Sequence, residues 1–144
     1  LFAYSIATVG VFISLIWVEK LKRETSYGAF KGLAKAEPLV AVTAAVSMLS
    51  MAGIPLTAGF MGKFALFSQA MNGAAFLVLI AILGSAISIA YYLRLIIAMF
   101  FFKESTFKTS EKVSITYNIL AVVILILIIG LGVYPDAFSA QFSK

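Results

Sequence analysis

Cysteine and histidine are both absent from the sequence. Their absence removes the side chains that hold haem, iron–sulfur clusters and the usual zinc sites, and it excludes a serine–histidine pair for hydrolysis. If the chain works within a redox assembly, it is not the part that carries electrons through such centres. Charge is scarce as well, since 12% of the residues are charged and 62% are hydrophobic. A soluble domain is nearer half apolar and about a quarter charged, so the sequence reads as a membrane protein. A basic n-region and a small-residue cleavage site are missing, so the apolar start at Leu1 is not a signal peptide. A start inside an apolar run, without Met, reads as a piece of something longer.

What the sequence does contain is apolar runs, and their lengths predict an all-α, multi-pass transmembrane helix bundle. Four spans are expected, at about 1–18, 39–71, 74–102 and 113–134. In the first, Tyr4 and Thr8 share one face and Gly10 and Ser14 another, a pattern suited to close helix packing. Between the first two spans lies a polar connection, residues 19–37, in which 27–37 is expected to form a short interfacial helix. Asn72-Gly73 reads as a tight turn, and a second polar connection covers 103–112.

The second run is too long for one straight helix. Its 33 residues would reach about 50 Å against a hydrocarbon core of about 30 Å. Gly53, Pro55, Gly59 and Gly62 interrupt it, and Pro55 removes a helix hydrogen bond. Two half-helices, 39–52 and 59–71, joined by an unwound segment 53–58, fit the length better. The expected break therefore comprises Gly53, Ile54, Pro55, Thr57, Gly59 and Gly62. Thr43, Ser47 and Ser50 form a polar stripe on the first half, which either bonds its own backbone or lines a wet path. On the next helix Ser85, Ser88 and Tyr92 share one face, a further candidate polar lining, with Arg94 nearly opposite.

Of the eleven lysines and arginines, only Lys63, Arg94 and Lys144 lie outside the two polar connections. By the positive-inside rule both connections, 19–37 and 103–112, are expected to be cytoplasmic, with the Asn72-Gly73 turn and the C-terminus facing outward. Basic residues placed between apolar runs are topology signals, and no nucleic-acid partner is expected. The lipid bilayer is.

Lys63 stands alone in its apolar run, nine residues before Asn72. That is about 13 Å of depth, close to the midplane and beyond the reach of a side chain about 6 Å long. The remaining options are a counter-ion, a hydrated cavity or loss of the proton, because burial disfavours the charged form of an amine. Broken helices beside a midplane ion site recur in secondary transporters, and this predicts ion translocation. The competing reading is a structural lysine paired with a carboxylate elsewhere. Arg94 lies about nine residues from its nearer exit and does not exchange protons at ordinary pH, so it is expected to be a fixed charge. Gly62-Lys63 is not a P-loop, because Thr57 stands where that motif needs Gly and Phe64 where it needs Ser or Thr.

The segment Ser50-Met51-Ala52-Gly53-Ile54-Pro55-Leu56-Thr57-Ala58-Gly59-Phe60-Met61-Gly62-Lys63-Phe64 resembles the broken-helix motif of the antiporter-like subunits of respiratory complex I, subunit N of bacterial NADH–quinone oxidoreductase above all. Leu1-Phe2-Ala3-Tyr4, Gly32-Leu33-Ala34 and Tyr91-Tyr92-Leu93-Arg94 resemble it too. The resemblance implies the C-terminal part of a much longer subunit, with Lys63 as a proton relay on a charged midplane axis. It implies a non-redox subunit of a translocase, coupled to quinone reduction, in a bacterial inner membrane. NADH, FMN, iron–sulfur clusters and quinone would be bound by partner subunits, and the remaining membrane-arm subunits would be its neighbours. A subunit of a multisubunit cation/proton antiporter and a purely structural membrane-arm bundle are the alternatives. Related subunits tend to carry an acidic residue where Lys63 stands.

Overall fold

A computed structural model describes residues 1–23, 26–102 and 114–134. Within them the chain forms α1 (Phe2–Lys22), a 3₁₀ turn (Tyr27–Phe30), α2 (Leu33–Ala36), α3 (Pro38–Ala52), α4 (Ala58–Phe101) and α5 (Ile115–Val133). The architecture is an all-α helix bundle. Of these helices α1, α4 and α5 are each long and apolar enough to cross a membrane. The expected segment 103–112 and the tail beyond Tyr134 lie outside the described residues.

α4 is not one rod. Ala74 has φ −146° and ψ 39°, which is non-helical, and the chain folds back there into two arms, 58–73 and 75–101. Lys63 and Ser85, which a straight helix would separate by about 33 Å, are in hydrogen-bond contact at 3.1 Å. Met71 and Val78 likewise line one cleft with Phe67 and Ile82, as an antiparallel pair requires. The reversal thus falls one residue past the turn expected at Asn72-Gly73. Both of those residues remain helical, and a single non-helical residue suffices.

Burial is concentrated in α3, whose partners are α1, α4 and α5. Nine of its fifteen residues are buried, against four of forty-four in α4. The shortest of the four main helices is therefore the core, and α4 turns most of its apolar surface outward. Pro38 opens α3 at its first turn, where no amide partner is required. Val40, Ala41, Ala44 and Met48 then meet Trp17 and Val18 of α1, Met99 of α4 and Tyr117 and Ala121 of α5 in one apolar cluster. Small residues permit the approach. A side chain at Gly10 of α1 would collide with the Ser47 hydroxyl.

The connection between α1 and α3 departs from the single short helix expected over 27–37. Gly32, at φ 72°, divides it into the 3₁₀ turn and α2. The Gly32 amide instead donates to the Ala98 carbonyl at 3.1 Å, which ties the connection to the far end of α4. Phe30 and Leu33 of this connection are both buried. The connection and the last turns of α4 thus sit at the same end of the bundle.

Candidate functional site

α3 ends because Gly53 takes up the left-handed conformation, φ 84° and ψ 41°, that side chains disfavour. Its amide donates to the Ser50 carbonyl at 3.0 Å, and the Ile54 amide donates to the Leu49 carbonyl at 3.1 Å. This is a Schellman ending. It satisfies two of the four carbonyls that a helix leaves without partners at its C-terminus. The other two belong to Met51 and Ala52, and Lys63 takes both. Its Nζ donates to Met51 at 2.9 Å and to Ala52 at 3.2 Å. Ammonium charge at a helix C-terminus is also favoured by the helix dipole.

The reverse connection runs from α3 to α4. The buried Ser50 hydroxyl accepts from the Gly59 amide at 3.1 Å, which serves one of the amides left open at the start of α4. Gly59 must be glycine here, because a Cβ would collide with the Ser50 carbonyl. Gly62, one turn on, faces open space. The break itself is braced within by the Thr57 hydroxyl, which donates to the Ile54 carbonyl at 2.7 Å, and Pro55 stands exposed between them. Leu56 adopts φ 73°, an unusual conformation for a residue with a side chain. Its carbonyl lies where a Cβ on Gly132 of α5 would go, so the end of α5 is the seat of the break.

Lys63 completes its ligand set with the Ser85 hydroxyl from the second arm of α4, at 3.1 Å. Lys63 lines two cavities. One, of about 430 Å³, lies between the arms of α4 and is walled by Phe64, Phe67, Val78 and Ile82. The other, of about 170 Å³, lies towards α1 and is bounded by Tyr4, Ser50, Gly59 and Gly62. Among the described residues Lys63 is the one charged side chain lining either. Such a group can hold or release a proton while facing two separate spaces.

The remaining sequence candidates divide by position. Ser50 and Ser85 join the site. Thr43 donates back to the Leu39 carbonyl at 2.8 Å, within its own helix. Ser47 is buried against α1 and has no hydrogen-bond partner among the described residues. Ser88 donates to the Gly84 carbonyl and accepts from Tyr91. Tyr92 packs against the core cluster. Arg94 is exposed, its guanidinium 5.3 Å from the centre of the Tyr27 ring, at the far end of α4. Sequence reading missed Tyr4 as a cavity wall and the two carbonyl acceptors of Lys63. The second was readable in principle, since a Schellman ending at Gly53 leaves the carbonyls of residues 51 and 52 open.

Residues 1–88 match the family model of transmembrane NADH:quinone oxidoreductase/Mrp antiporter proteins. The chain is 42% identical over 135 residues to NADH-quinone oxidoreductase subunit N of Flavobacterium psychrophilum, covering 93% of this chain and 29% of that protein. It is 38% identical over 142 residues to subunit N 3 of the same enzyme from Streptomyces griseus, covering 96% and 26%. It is also 41% identical over 113 residues to F(420)H(2) dehydrogenase subunit N of Methanosarcina mazei, covering 76% and 22%. The chain spans less than a third of the length of each of these relatives.

Proposed function

Because the chain belongs to the NADH:quinone oxidoreductase/Mrp antiporter transmembrane family, we propose that it forms part of a proton-translocating membrane subunit of complex I, with Lys63 as the group that takes up and releases the proton. One observation carries this reading. Among the described residues Lys63 is the sole charged side chain lining two cavities, and its ligands are neutral carbonyls and a hydroxyl. Neutral ligands orient the amine without fixing it permanently in the charged form, as a neighbouring carboxylate would. In this reading the bundle makes four crossings, with α3, the break and the first arm of α4 together as the second. The connections 19–37 and 103–112 face the cytoplasm of a bacterial cell, and the C-terminus faces outward.

The subunit would have no redox centre of its own. NADH, FMN, iron–sulfur clusters and quinone would be bound by partner subunits, and neighbouring membrane-arm subunits would complete the proton path. The relatives named as NADH-quinone oxidoreductase subunits favour this assembly over an electron-independent cation/proton antiporter. Proton pumping by the assembled complex in sealed vesicles tests the proposal. Lys63→Ala is expected to abolish most of it while the complex still assembles on a native gel. An assembled Lys63→Ala complex that pumps normally would exclude the relay role, and loss of assembly itself would favour a structural bundle.

A further inference from the structure

Arg94 lies at the opposite end of α4 from the break, beside a cleft of about 490 Å³ that neither the relay nor the break uses. Two cations line it, Arg94 and Lys31. Each lies over an aromatic ring, Arg94 over Tyr27 at 5.3 Å and Lys31 over Phe102 at 5.6 Å. The Tyr27 hydroxyl donates to the Arg94 backbone carbonyl at 2.6 Å, which fixes the connection against α4. Among the described residues neither cation meets a carboxylate, and neither side chain donates a hydrogen bond. The ring faces hold the cations in place yet leave their N–H donors unspent.

The rest of the lining is apolar. Ala90, Leu93 and Ile97 are exposed in the cleft. Arg94, Ala90, Ile87 and Leu83 recur at spacings of four, three and four, so they share one helix face. Ile87 and Leu83 are both more than half exposed, at 68% and 56%. A pair of donors for an anion thus continues into an apolar track along the helix, towards the Ser85 level. Free phosphate would use only the first part, and an acidic peptide would leave the second uncovered. A ligand with an anionic head and a hydrocarbon tail uses both.

We propose that this cleft binds an anionic phospholipid, its phosphate between Arg94 and Lys31 and one acyl chain along Ala90, Ile87 and Leu83. Basic pockets at the edge of membrane helices bind lipid head groups by this chemistry. The site requires that this face of the chain is turned to the lipid of a membrane, and not that Lys63 relays protons, so it stands or falls separately from the relay role.

The test uses the full chain in its native membrane assembly, reconstituted in phosphatidylcholine vesicles. These carry a trace of photoreactive phosphatidylglycerol or of photoreactive phosphatidylcholine, and labelled peptides are mapped by mass spectrometry. The phosphatidylglycerol probe is expected to label the stretch from Ala90 to Phe102 in clear preference to the phosphatidylcholine probe. Lys31→Gln, which lies outside the spans, is expected to lower that preference about fivefold, the weight of one cation near an anionic surface. Arg94→Gln is expected to do the same, while Arg94→Lys retains most of it. Excess inorganic phosphate leaves the labelling unchanged. Equal labelling by the two probes, or labelling indifferent to Lys31→Gln, would overturn the proposal. Displacement by inorganic phosphate would overturn it in favour of a free anion. Carbodiimide coupling of Lys31 to a neighbouring subunit would overturn it in favour of a protein carboxylate.

Discussion

Lys63 and Arg94 are both lone cations on α4, one on each arm, and the chain treats them differently. Lys63 is a point charge whose donors are divided among two carbonyls and a hydroxyl. Arg94 is exposed and rests on an aromatic face beside an amphipathic cleft. An ammonium surrounded by neutral oxygens can lose its proton and still donate with the hydrogens that remain. A guanidinium keeps its charge at any ordinary pH. Residue type and ligand type therefore agree at both places. In the proposed reading a proton passes through the first cation, and the second anchors.

Exchanging the two kinds of group gives the largest contrast. Lys63→Ala is expected to lower proton pumping by about tenfold or more, within what a positioned proton-transfer group contributes. Lys63→Arg is expected to impair it as well, because the charge stays but the proton does not leave. Arg94→Gln in the same assay is expected to give a much smaller loss. Equal losses at the two positions would erase the distinction.

The support beneath Lys63 can be probed with two glycines one turn apart. Gly59→Ala places a Cβ against the Ser50 carbonyl and is expected to cost about 1–3 kcal/mol. Gly62→Ala meets nothing and gains helix propensity, so it is expected to be neutral or to stabilise by up to about 1 kcal/mol. Thermal unfolding of the detergent-solubilised protein separates the two, and similar midpoints would contradict the close approach of α3 and α4.

Ser85→Ala removes one of the three acceptors of Lys63 and is expected to cost about 1 kcal/mol, low for a charged hydrogen bond because the lysine is only part-buried. Ser85→Thr, which keeps the hydroxyl, is expected to recover most of that loss in the same unfolding measurement.

The smallest effect belongs to the other end of the bundle. Burial holds the Glu37 carboxyl above its ordinary range. The folded chain then binds this proton more tightly than the unfolded chain. Its contribution is complete below the ordinary carboxylate value and is lost as pH rises through the raised one. The unfolding midpoint is expected to fall slightly over that interval, and Glu37→Gln to flatten the slope. A slope unchanged by Glu37→Gln would assign it to another group.

Much of this was legible in the sequence because membrane helices announce themselves by length and by missing charge. The interruption at Gly53 and Pro55 followed from a run too long to cross once, and α3 does end at Ala52. The isolation of Lys63 was legible from the same run. What it touches was not, because Ser85 arrives only through the reversal at Ala74 and sequence spacing does not report contacts between arms. The polar stripe on α3 divided for a similar reason. Ser50 reaches the break, while Thr43 turns back to its own helix and Ser47 faces α1. The connection over 27–37 was misjudged at Gly32, where a tertiary bond to Ala98 outweighs helical periodicity.

Gly132 gives the chain an order of assembly. The carbonyl of Leu56 rests in the notch that this glycine leaves in α5, far downstream in the sequence. A chain made from its N-terminus lays down the break well before the helix that receives it. Until α5 docks, the loop around Leu56 lacks its wall. α5 therefore acts as the keystone of a site to which, among the described residues, it contributes no hydrogen bond.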